Sequence, residues 1–315
     1  MGKTYEVANA LKENVGKVIV GKEEIIQMLL ASLIAGGHVL LEDAPGTGKT
    51  VMTKAIAKSL SASFSRIQFT PDLLPSDITG MNIFRQKEGE FQFIKGPVFA
   101  NIILADEINR ATPRTQSSLL ECMEEKQVTV DGVTYLLEDP FLVIATQNPI
   151  ETAGTFPLPE AQMDRFMMKL SVGFPEKEEE IEMISRFMTE NPLDTLETVC
   201  SKEELLEMRE ECKQVFLHPV LKEYIVNLVQ ATRNHPSVAL GVSPRGTLAF
   251  VKVLKVYAAM NGRNYVLPED IKKLAKPVMA HRMLTYSSVA ANKTEDTILD
   301  GILSGVAVPT ENWSE

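Results

Sequence analysis

The segment Asp43–Thr50 combines two glycines with a lysine and a threonine in an order that suits the binding of a polyphosphate. Its glycines let the backbone curl, so that successive N–H groups point inward at phosphate oxygens. Lys49 is spaced to reach the β- and γ-phosphates, and the Thr50 hydroxyl is spaced to ligate Mg²⁺. A glycine-rich surface turn does not explain the Gly-Lys-Thr ending. The pattern therefore predicts a Walker A loop, in which Asp43 replaces the usual first glycine.

A strand and a helix flank this loop, as a phosphate site requires. The apolar run before it ends at Leu41, and a helical pattern covers Val51–Leu60. The N-terminus of that helix adds the positive end of its dipole to the anion site. The predicted nucleotide-binding residues of the loop are Pro45, Gly46, Thr47, Gly48, Lys49, Thr50 and Val51.

Two carboxylates follow a second apolar strand, Asn101–Ala105. Asp106 is placed to hold Mg²⁺ through water, together with Thr50, and to complete the nucleotide site. Glu107 is then free to take a proton from the attacking water. A strand followed by two acids is common and means little alone. Downstream of a Walker A loop it predicts a Walker B strand.

Three further polar residues could complete the catalytic set. Asn148 follows the apolar strand Phe141–Thr146 and could hydrogen-bond the attacking water or the γ-phosphate, or simply form a turn before Pro149. Arg165 precedes the last strand, and Arg245 opens a later helix. A guanidinium from a neighbouring subunit or a lid stabilises transition-state charge on the γ-phosphate. Taken singly, each arginine also fits an ordinary surface ion pair.

The elements that must position these residues alternate between short apolar runs and amphipathic helices. Nearly continuous apolar character predicts parallel strands covered on both faces, with a ligand at their carboxyl ends. We therefore predict an α/β doubly wound domain over residues 1–174, and a smaller all-helical lid over 175–315, after a change of composition at Phe174-Pro175. The predicted strands are His38–Leu41, Ser65–Phe69, Asn101–Ala105, Phe141–Thr146 and Met167–Val172.

Two inserts interrupt the alternation. Ile83–Lys95 has Glu88-Gly89 between aromatic residues, and Gln127–Leu137 has Asp131-Gly132 between alternating apolar residues. Both patterns predict β-hairpins. Each hairpin could decorate the edge of the sheet or be a moving part that touches a substrate.

Composition limits the class of partner. With 315 residues the chain is long enough for two cores, and 44% apolar and 23% charged residues are typical of a globular protein. A net charge of −10 argues against nucleic acid as the main partner, although a local basic pore stays possible. Three cysteines without zinc-ligand spacing predict buried thiols in a reducing compartment. No export signal or bilayer-length apolar stretch is present, so we expect a cytoplasmic protein without membrane insertion.

Several further stretches of the sequence are specific to one family: Gln68–Asp77, Gly96–Asn101, Ala105–Ala111, Ala145–Glu151, Pro157–Phe166, Ser243–Arg245, Pro268–Asp270 and Ala280–Arg282. Through them the chain resembles the MoxR family of AAA+ ATPases over nearly its whole length.

The resemblance implies a P-loop αβα core with a five-stranded sheet, a helical lid, and a ring, expected to be a hexamer, with ATP and Mg²⁺ between subunits. Asn148 matches sensor 1, Arg165 the arginine finger acting in trans, and Arg245 sensor 2. The two hairpins match a helix-2 insert and a pre-sensor hairpin. The resemblance also implies a chaperone that matures client protein complexes, often together with a von Willebrand factor A-domain adaptor.

Two other functions fit the same motifs. A nucleotide-gated binding module that hydrolyses ATP slowly would also keep this site, although Glu107 favours hydrolysis. The magnesium-chelatase ATPase subunit shares both inserts and the Asp-Arg-Phe motif. The match over Pro71–Pro75 and Ser243–Arg245 favours MoxR. A DNA-translocating relative is disfavoured by the charge.

Overall fold

Five parallel strands form the sheet that carries most of the predicted site. The computed structural model describes residues 2–148, 154–188, 191–286 and 294–309. The strands in these ranges are β1 His38–Glu42, β2 Phe64–Gln68, β3 Gly80–Arg85, β4 Glu90–Lys95, β5 Ile102–Asp106, β6 Gln127–Val130, β7 Val133–Leu136, β8 Leu142–Gln147, β9 Phe166–Leu170, β10 Val238–Leu240 and β11 Leu284–Thr285. The helices are α1 Gly2–Gly16, α2 Glu23–Ala35, α3 Lys49–Ser59, α4 Pro75–Thr79, α5 Pro113–Glu125, α6 Glu160–Met163, α7 Lys177–Phe187, α8 Lys202–Lys213, α9 Pro219–Asn234, α10 Pro244–Met260, α11 Pro268–Met279 and α12 Glu295–Gly305.

The sheet has the strand order β2-β5-β8-β1-β9, and every neighbouring pair is parallel. All five predicted strands are confirmed. Their carboxyl ends lie at one edge, because Gln68 is in register with Asp106 and Glu42 with Gln147. This edge brings the Walker A loop after β1 next to the acids at the end of β5.

The last strand is shorter than predicted. β9 covers Phe166–Leu170, whereas the apolar pattern predicted a strand that continues to Val172. Ser171, Val172 and Gly173 leave the sheet because each donates a hydrogen bond to the carboxylate of Asp43. A polar anchor in the loop therefore ends this strand.

Both predicted hairpins are present, and they contact each other. The first consists of β3 and β4, and the second of β6 and β7. Phe93 of the first stacks on Tyr135 of the second, with ring centroids 4.2 Å apart and 16° between the ring planes. Asn82 Nδ2 also donates to Asp131 Oδ2 at 2.7 Å. The two inserts thus form one joined unit on the core.

The lid is helical except for one pair of strands. The short strands β10 and β11 pair antiparallel, which the all-helical prediction did not include. A three-residue apolar run after His235-Pro236 is too short to predict a strand from alternation. One hydrophobic core includes side chains of α2 and α10, so residues from both sides of position 174 pack together. The boundary itself stays a prediction.

The three cysteines are buried and free, as expected. Burial raises the pKa of the Cys122 thiol to about 12, so this thiol stays protonated at neutral pH. In the part of the chain that the structure describes, no helix combines the length and apolar character needed to cross a bilayer.

A buried arginine fastens the lid to the core. Arg282 Nε donates to Asp164 Oδ1 at 2.8 Å, and its Nη2 donates to the carbonyl of Phe166 at 2.6 Å. Ser243 Oγ donates to the other Asp164 oxygen at 2.8 Å. His281 Nε2 lies 3.0 Å from the same Phe166 carbonyl. The segment just before β9 is therefore bound by the start of α10 and by the turn after α11.

Replacing Arg282 with Met should destabilise the protein strongly. Without Arg282 the Asp164 carboxylate keeps only the Ser243 hydroxyl among the partners described above, and the loss of one member of a buried ion pair costs roughly 3–5 kcal/mol of unfolding free energy. The control is Lys213→Met, which breaks an exposed pair with Glu210 and should cost less than about 1 kcal/mol. Urea unfolding followed by circular dichroism measures both. Equal losses in the two variants would contradict this role of Arg282.

His38 is a buried, neutral histidine at the start of β1. Its Nδ1 accepts from the N–H of Val143 at 3.0 Å, and its Nε2 lies 3.0 Å from the carbonyl of Met123. Burial lowers its pKa to about 4, with the nearby Lys126 and Lys252 adding to the decrease. Protonation would place a hydrogen on Nδ1 facing the N–H donor of Val143.

This arrangement predicts a loss of stability in mild acid. Between pH 6.5 and about 4 the unfolded chain binds a proton at His38 that the folded chain does not. Stability should therefore fall with decreasing pH, by about 1.4 kcal/mol per pH unit for this residue. Urea unfolding at pH 7 and pH 5.5 tests it against His38→Gln, which cannot titrate in this range. Parallel pH dependences in the two proteins would disprove the assignment.

Candidate nucleotide-binding site

The predicted Walker A loop connects β1 to α3 and is open to a cavity. Gly46 and Gly48 have φ angles of 87° and 82°, a region that favours glycine. Gly48 is the residue before the first turn of α3 and has no side chain to cap that turn. The N–H groups of the first turn are thus left for an anion.

Lys49 is the cation of this loop and is only 9% exposed. Its Nζ donates to the carbonyl oxygen of Ala44 at 2.8 Å and more weakly to that of Asp43 at 3.4 Å. Among the described residues it has no carboxylate partner. The Thr47 hydroxyl is also buried and has no hydrogen-bond partner in the described part of the chain. A buried cation held only by backbone carbonyls suits a negatively charged ligand such as a polyphosphate.

The two acids line the same cavity as the loop. Asp106 is the last residue of β5, and Glu107 follows it with a left-handed φ of 56°. Thr146 Oγ1 links them: it donates to Asp106 Oδ1 at 2.7 Å and accepts from the N–H of Glu107 at 2.8 Å.

Polar residues on the edge strand β2 hold both acids. Arg66 Nη2 donates to Asp106 Oδ2 at 2.6 Å, and Gln68 Nε2 donates to Glu107 Oε2 at 2.9 Å. Arg110 pairs with the same Glu107 oxygen at 3.3 Å. Our sequence reasoning missed Arg66, Gln68 and Thr146. Arg66 and Gln68 could have been noticed, because they are polar residues two positions apart on a strand of an otherwise apolar sheet.

The loop and the two acids line one cavity of about 390 Å³. Asn148 lines it, as its prediction as a γ-phosphate or water contact requires. The other lining residues are Asp43, Pro45, Gly46, Thr47, Gly48, Lys49, Thr50, Val51, Arg66, Gln68, Asp106, Glu107, Thr146 and Gln147.

Comparison with known proteins identifies the family. Residues 38–168 match the ATPase family associated with various cellular activities (AAA), and residues 230–302 match the AAA lid domain. The chain is 42% identical to the chaperone MoxR1 of Mycobacterium tuberculosis, over 95% of this chain and 81% of that protein. The chain belongs to the MoxR family of AAA+ ATPases.

Two further relatives are closely similar. An uncharacterised protein of Bacillus subtilis, YeaC, is 51% identical over 95% of this chain and 94% of its own length. A crystal structure of a candidate ATPase from Cytophaga hutchinsonii superposes with a TM-score of 0.91 at 43% identity, and covers 98% of both chains. The MoxR-type fold predicted above, an αβα core followed by a lid, is thereby confirmed.

The two predicted arginines of this MoxR-family chain do not line its own cavity. They meet instead at Glu124, near the end of α5. Arg165 Nε lies 3.1 Å from one oxygen of Glu124, and Arg245 Nη2 donates to the other oxygen. One guanidinium comes from the core and one from the lid. The chain therefore presents an arginine pair on one carboxylate, away from the residues that would hold its own nucleotide.

Proposed function

We propose that this MoxR-family protein is a Mg²⁺-dependent ATPase that uses hydrolysis to remodel or mature client protein complexes. The observation that carries the proposal is the position of Lys49. This buried cation has only backbone acceptors, and it shares a cavity with Asp106 and Glu107. A buried cation and two acids in one cavity suit a triphosphate with its metal.

Each residue of the cavity has a proposed part in the reaction. Lys49 and the N–H groups between Pro45 and Val51 hold the phosphates. Thr50 and Asp106 would hold magnesium, which neutralises charge on the β- and γ-phosphate oxygens when bound. Glu107 accepts the proton of the attacking water, and Asn148 orients that water or the γ-phosphate.

The arginine pair supports assembly into a ring. AAA+ proteins commonly form oligomeric rings, and we propose a homo-hexamer in the cytoplasm. Arg165 and Arg245 are joined through Glu124 on a face other than the chain's own cavity. In a head-to-tail ring such a face can meet the nucleotide of the next subunit. Both guanidiniums would then stabilise charge on the γ-phosphate of a neighbour.

Exposed apolar side chains on the two hairpins support contact with a client. Phe91 is 71% exposed and Leu136 is 77% exposed, and they lie on β4 and β7 respectively. Large apolar residues on adjoining inserts are typical of protein-binding surfaces. The similar protein named chaperone MoxR1 fits such a role. An adaptor with a von Willebrand factor A-type domain is the partner that the family resemblance implies.

Steady-state phosphate release with ATP and Mg²⁺ tests the enzymatic proposal. We expect continuous turnover that EDTA abolishes and that Lys49→Ala lacks, because this variant removes the phosphate-binding cation. A single slow turnover with ATP held tightly would instead favour a nucleotide-gated switch. Stimulation by a porphyrin-chelating partner would favour a chelatase motor.

Client engagement needs a separate experiment. Tagged Glu107→Gln protein, loaded with ATP and Mg²⁺, should retain clients and adaptors that wild-type protein releases after hydrolysis. The matched control is Lys49→Ala, which carries the same fold without bound ATP. Identical sets of captured proteins in both variants would argue against nucleotide-dependent remodelling.

A further inference from the structure

Asp43 stands where the Walker A pattern usually has its first glycine, and its side chain is fully engaged. The residue is only 7% exposed. Its Oδ2 accepts from the N–H of Val172 at 2.6 Å, and its Oδ1 accepts from Ser171 Oγ at 2.7 Å and from the N–H of Gly173 at 3.1 Å. A glycine at this position could make none of these bonds. Asp43 therefore forms a contact that the usual glycine of the Walker A pattern could not form.

The three donors are consecutive residues that connect the core to the next helix. β9 stops pairing with β1 at Leu170, and α7 begins at Lys177. Gly173, in the middle of this connection, has a left-handed φ of 65°. We call residues 171–173 the linker. Bonds from N–H groups to an ionised carboxylate are stronger than those between neutral groups, so Asp43 holds the linker firmly.

The main chain of Asp43 also contacts the cation of the nucleotide site. Its carbonyl oxygen accepts from Lys49 Nζ at 3.4 Å, beside the stronger bond from Lys49 to Ala44. A phosphate that draws Lys49 toward itself takes the ammonium away from both carbonyls. The carbonyl and the carboxylate belong to one residue, so a movement of the loop there is transmitted to the linker.

We propose that Asp43 is a positioning residue that couples the nucleotide-binding loop to the linker and, through it, to α7. The inference rests on the proposed ATPase function. It assigns the replacement of the first glycine a specific role: the loop binds nucleotide through its glycines and Lys49, and reports the bound state through Asp43.

A purely structural role for Asp43 makes a different prediction. If the carboxylate only shaped the loop, its loss would weaken nucleotide binding and stability together. If the carboxylate couples the loop to the linker, its loss should leave nucleotide affinity unchanged and lower the turnover rate. Glu42 offers a matched control, because it is the preceding residue and forms an ion pair with Lys169 of β9 at 2.7 Å. Lys169 lies two residues before the linker, and neither member of the pair lines the cavity.

The test compares full-length wild type, Asp43→Gly, Asp43→Asn and Glu42→Gln. Three quantities are measured for each protein: the affinity for a fluorescent ATP analogue, the steady-state turnover rate, and amide hydrogen exchange over residues 171–187. The exchange is measured with and without ATPγS and Mg²⁺. In wild type and Glu42→Gln, nucleotide should change exchange in this segment. Asp43→Gly, which restores the usual glycine, should bind the analogue as wild type does. It should lose the exchange response and turn over roughly tenfold more slowly, which corresponds to about 1.4 kcal/mol in activation free energy.

Ser171→Ala keeps the test decisive if the Asp43 variants fold poorly, because it removes one of the three bonds without changing the loop. We expect reduced turnover at unchanged affinity. Full turnover with an intact exchange response in Asp43→Gly, or in Ser171→Ala when the former is unfolded, overturns the proposal. So does a wild-type protein that binds nucleotide without any response at 171–187. A wild type that binds no ATP would instead overturn the proposed function itself.

Discussion

Replacing Glu107 with Gln should leave ATP bound and stop its hydrolysis. Gln keeps the size of the side chain and a hydrogen-bonding oxygen, but it cannot accept the proton of the attacking water. General-base catalysis contributes roughly 10²- to 10⁴-fold, so turnover should fall within that range. The phosphate-binding residues belong to the separate loop after β1, so the substitution should leave them unaffected. Affinity for a fluorescent ATP analogue should therefore match that of wild type.

Two further variants make the result specific to Glu107. Glu125→Gln removes an exposed acid on α5 and should hydrolyse ATP at the wild-type rate. Lys49→Ala should show the opposite pattern, with loss of binding itself. Normal phosphate release by the Glu107→Gln protein would refute the assignment of the base. Loss of binding in that variant would mean that Glu107 supports the shape of the site rather than the chemistry.

Arg165→Ala and Lys49→Ala proteins should each be inactive alone and recover activity when mixed. Arg165 is held by Glu124 and does not line the cavity of its own chain. If it completes a neighbour's site, an Arg165→Ala subunit with an intact cavity can receive the arginine from a Lys49→Ala subunit. An arginine supplied in trans is worth roughly 10³- to 10⁵-fold in turnover, so even a minority of restored interfaces should be measurable.

The control for this mixing experiment combines Lys49→Ala with Glu107→Gln. Both residues lie in the same cavity, so no interface of this mixed ring contains a complete site. Its activity should stay at the level of the parents. If the Arg165→Ala mixture is equally inactive while its subunits still assemble, Arg165 does not act in trans. Phosphate release across a series of mixing ratios distinguishes these outcomes.

The main elements could be predicted because each has a local cause. β1, β5 and β8 are buried on both faces, and a strand covered on both faces requires a nearly continuous run of apolar residues. The strand ends then place the Walker A loop near Asp106 without further information, since carboxyl ends of parallel strands share one edge. The hairpin around Asp131-Gly132 was likewise predictable, because this dipeptide adopts the positive φ angles that a tight turn needs.

The contacts that hold the catalytic groups could not be predicted in this way. Arg66 reaches Asp106 only because β2 and β5 are neighbours in the sheet, although α4 and the first hairpin separate them in the chain. Glu124 on α5 contacts both Arg165, just before β9, and Arg245 on the lid helix α10. No local sequence pattern predicts this contact between distant segments. The early end of β9 has the same origin, because the partner of its last residues is a side chain far earlier in the sequence.

Phe93 and Tyr135 lie face to face, so the two hairpins cannot be pushed independently. The second hairpin directly follows α5, which begins just after the Walker B acids. A displacement of the second hairpin must either move the first hairpin with it or separate the stacked rings of Phe93 and Tyr135. The two inserts are therefore mechanically coupled, and a displacement that starts near Glu107 would move the exposed apolar faces of both hairpins together.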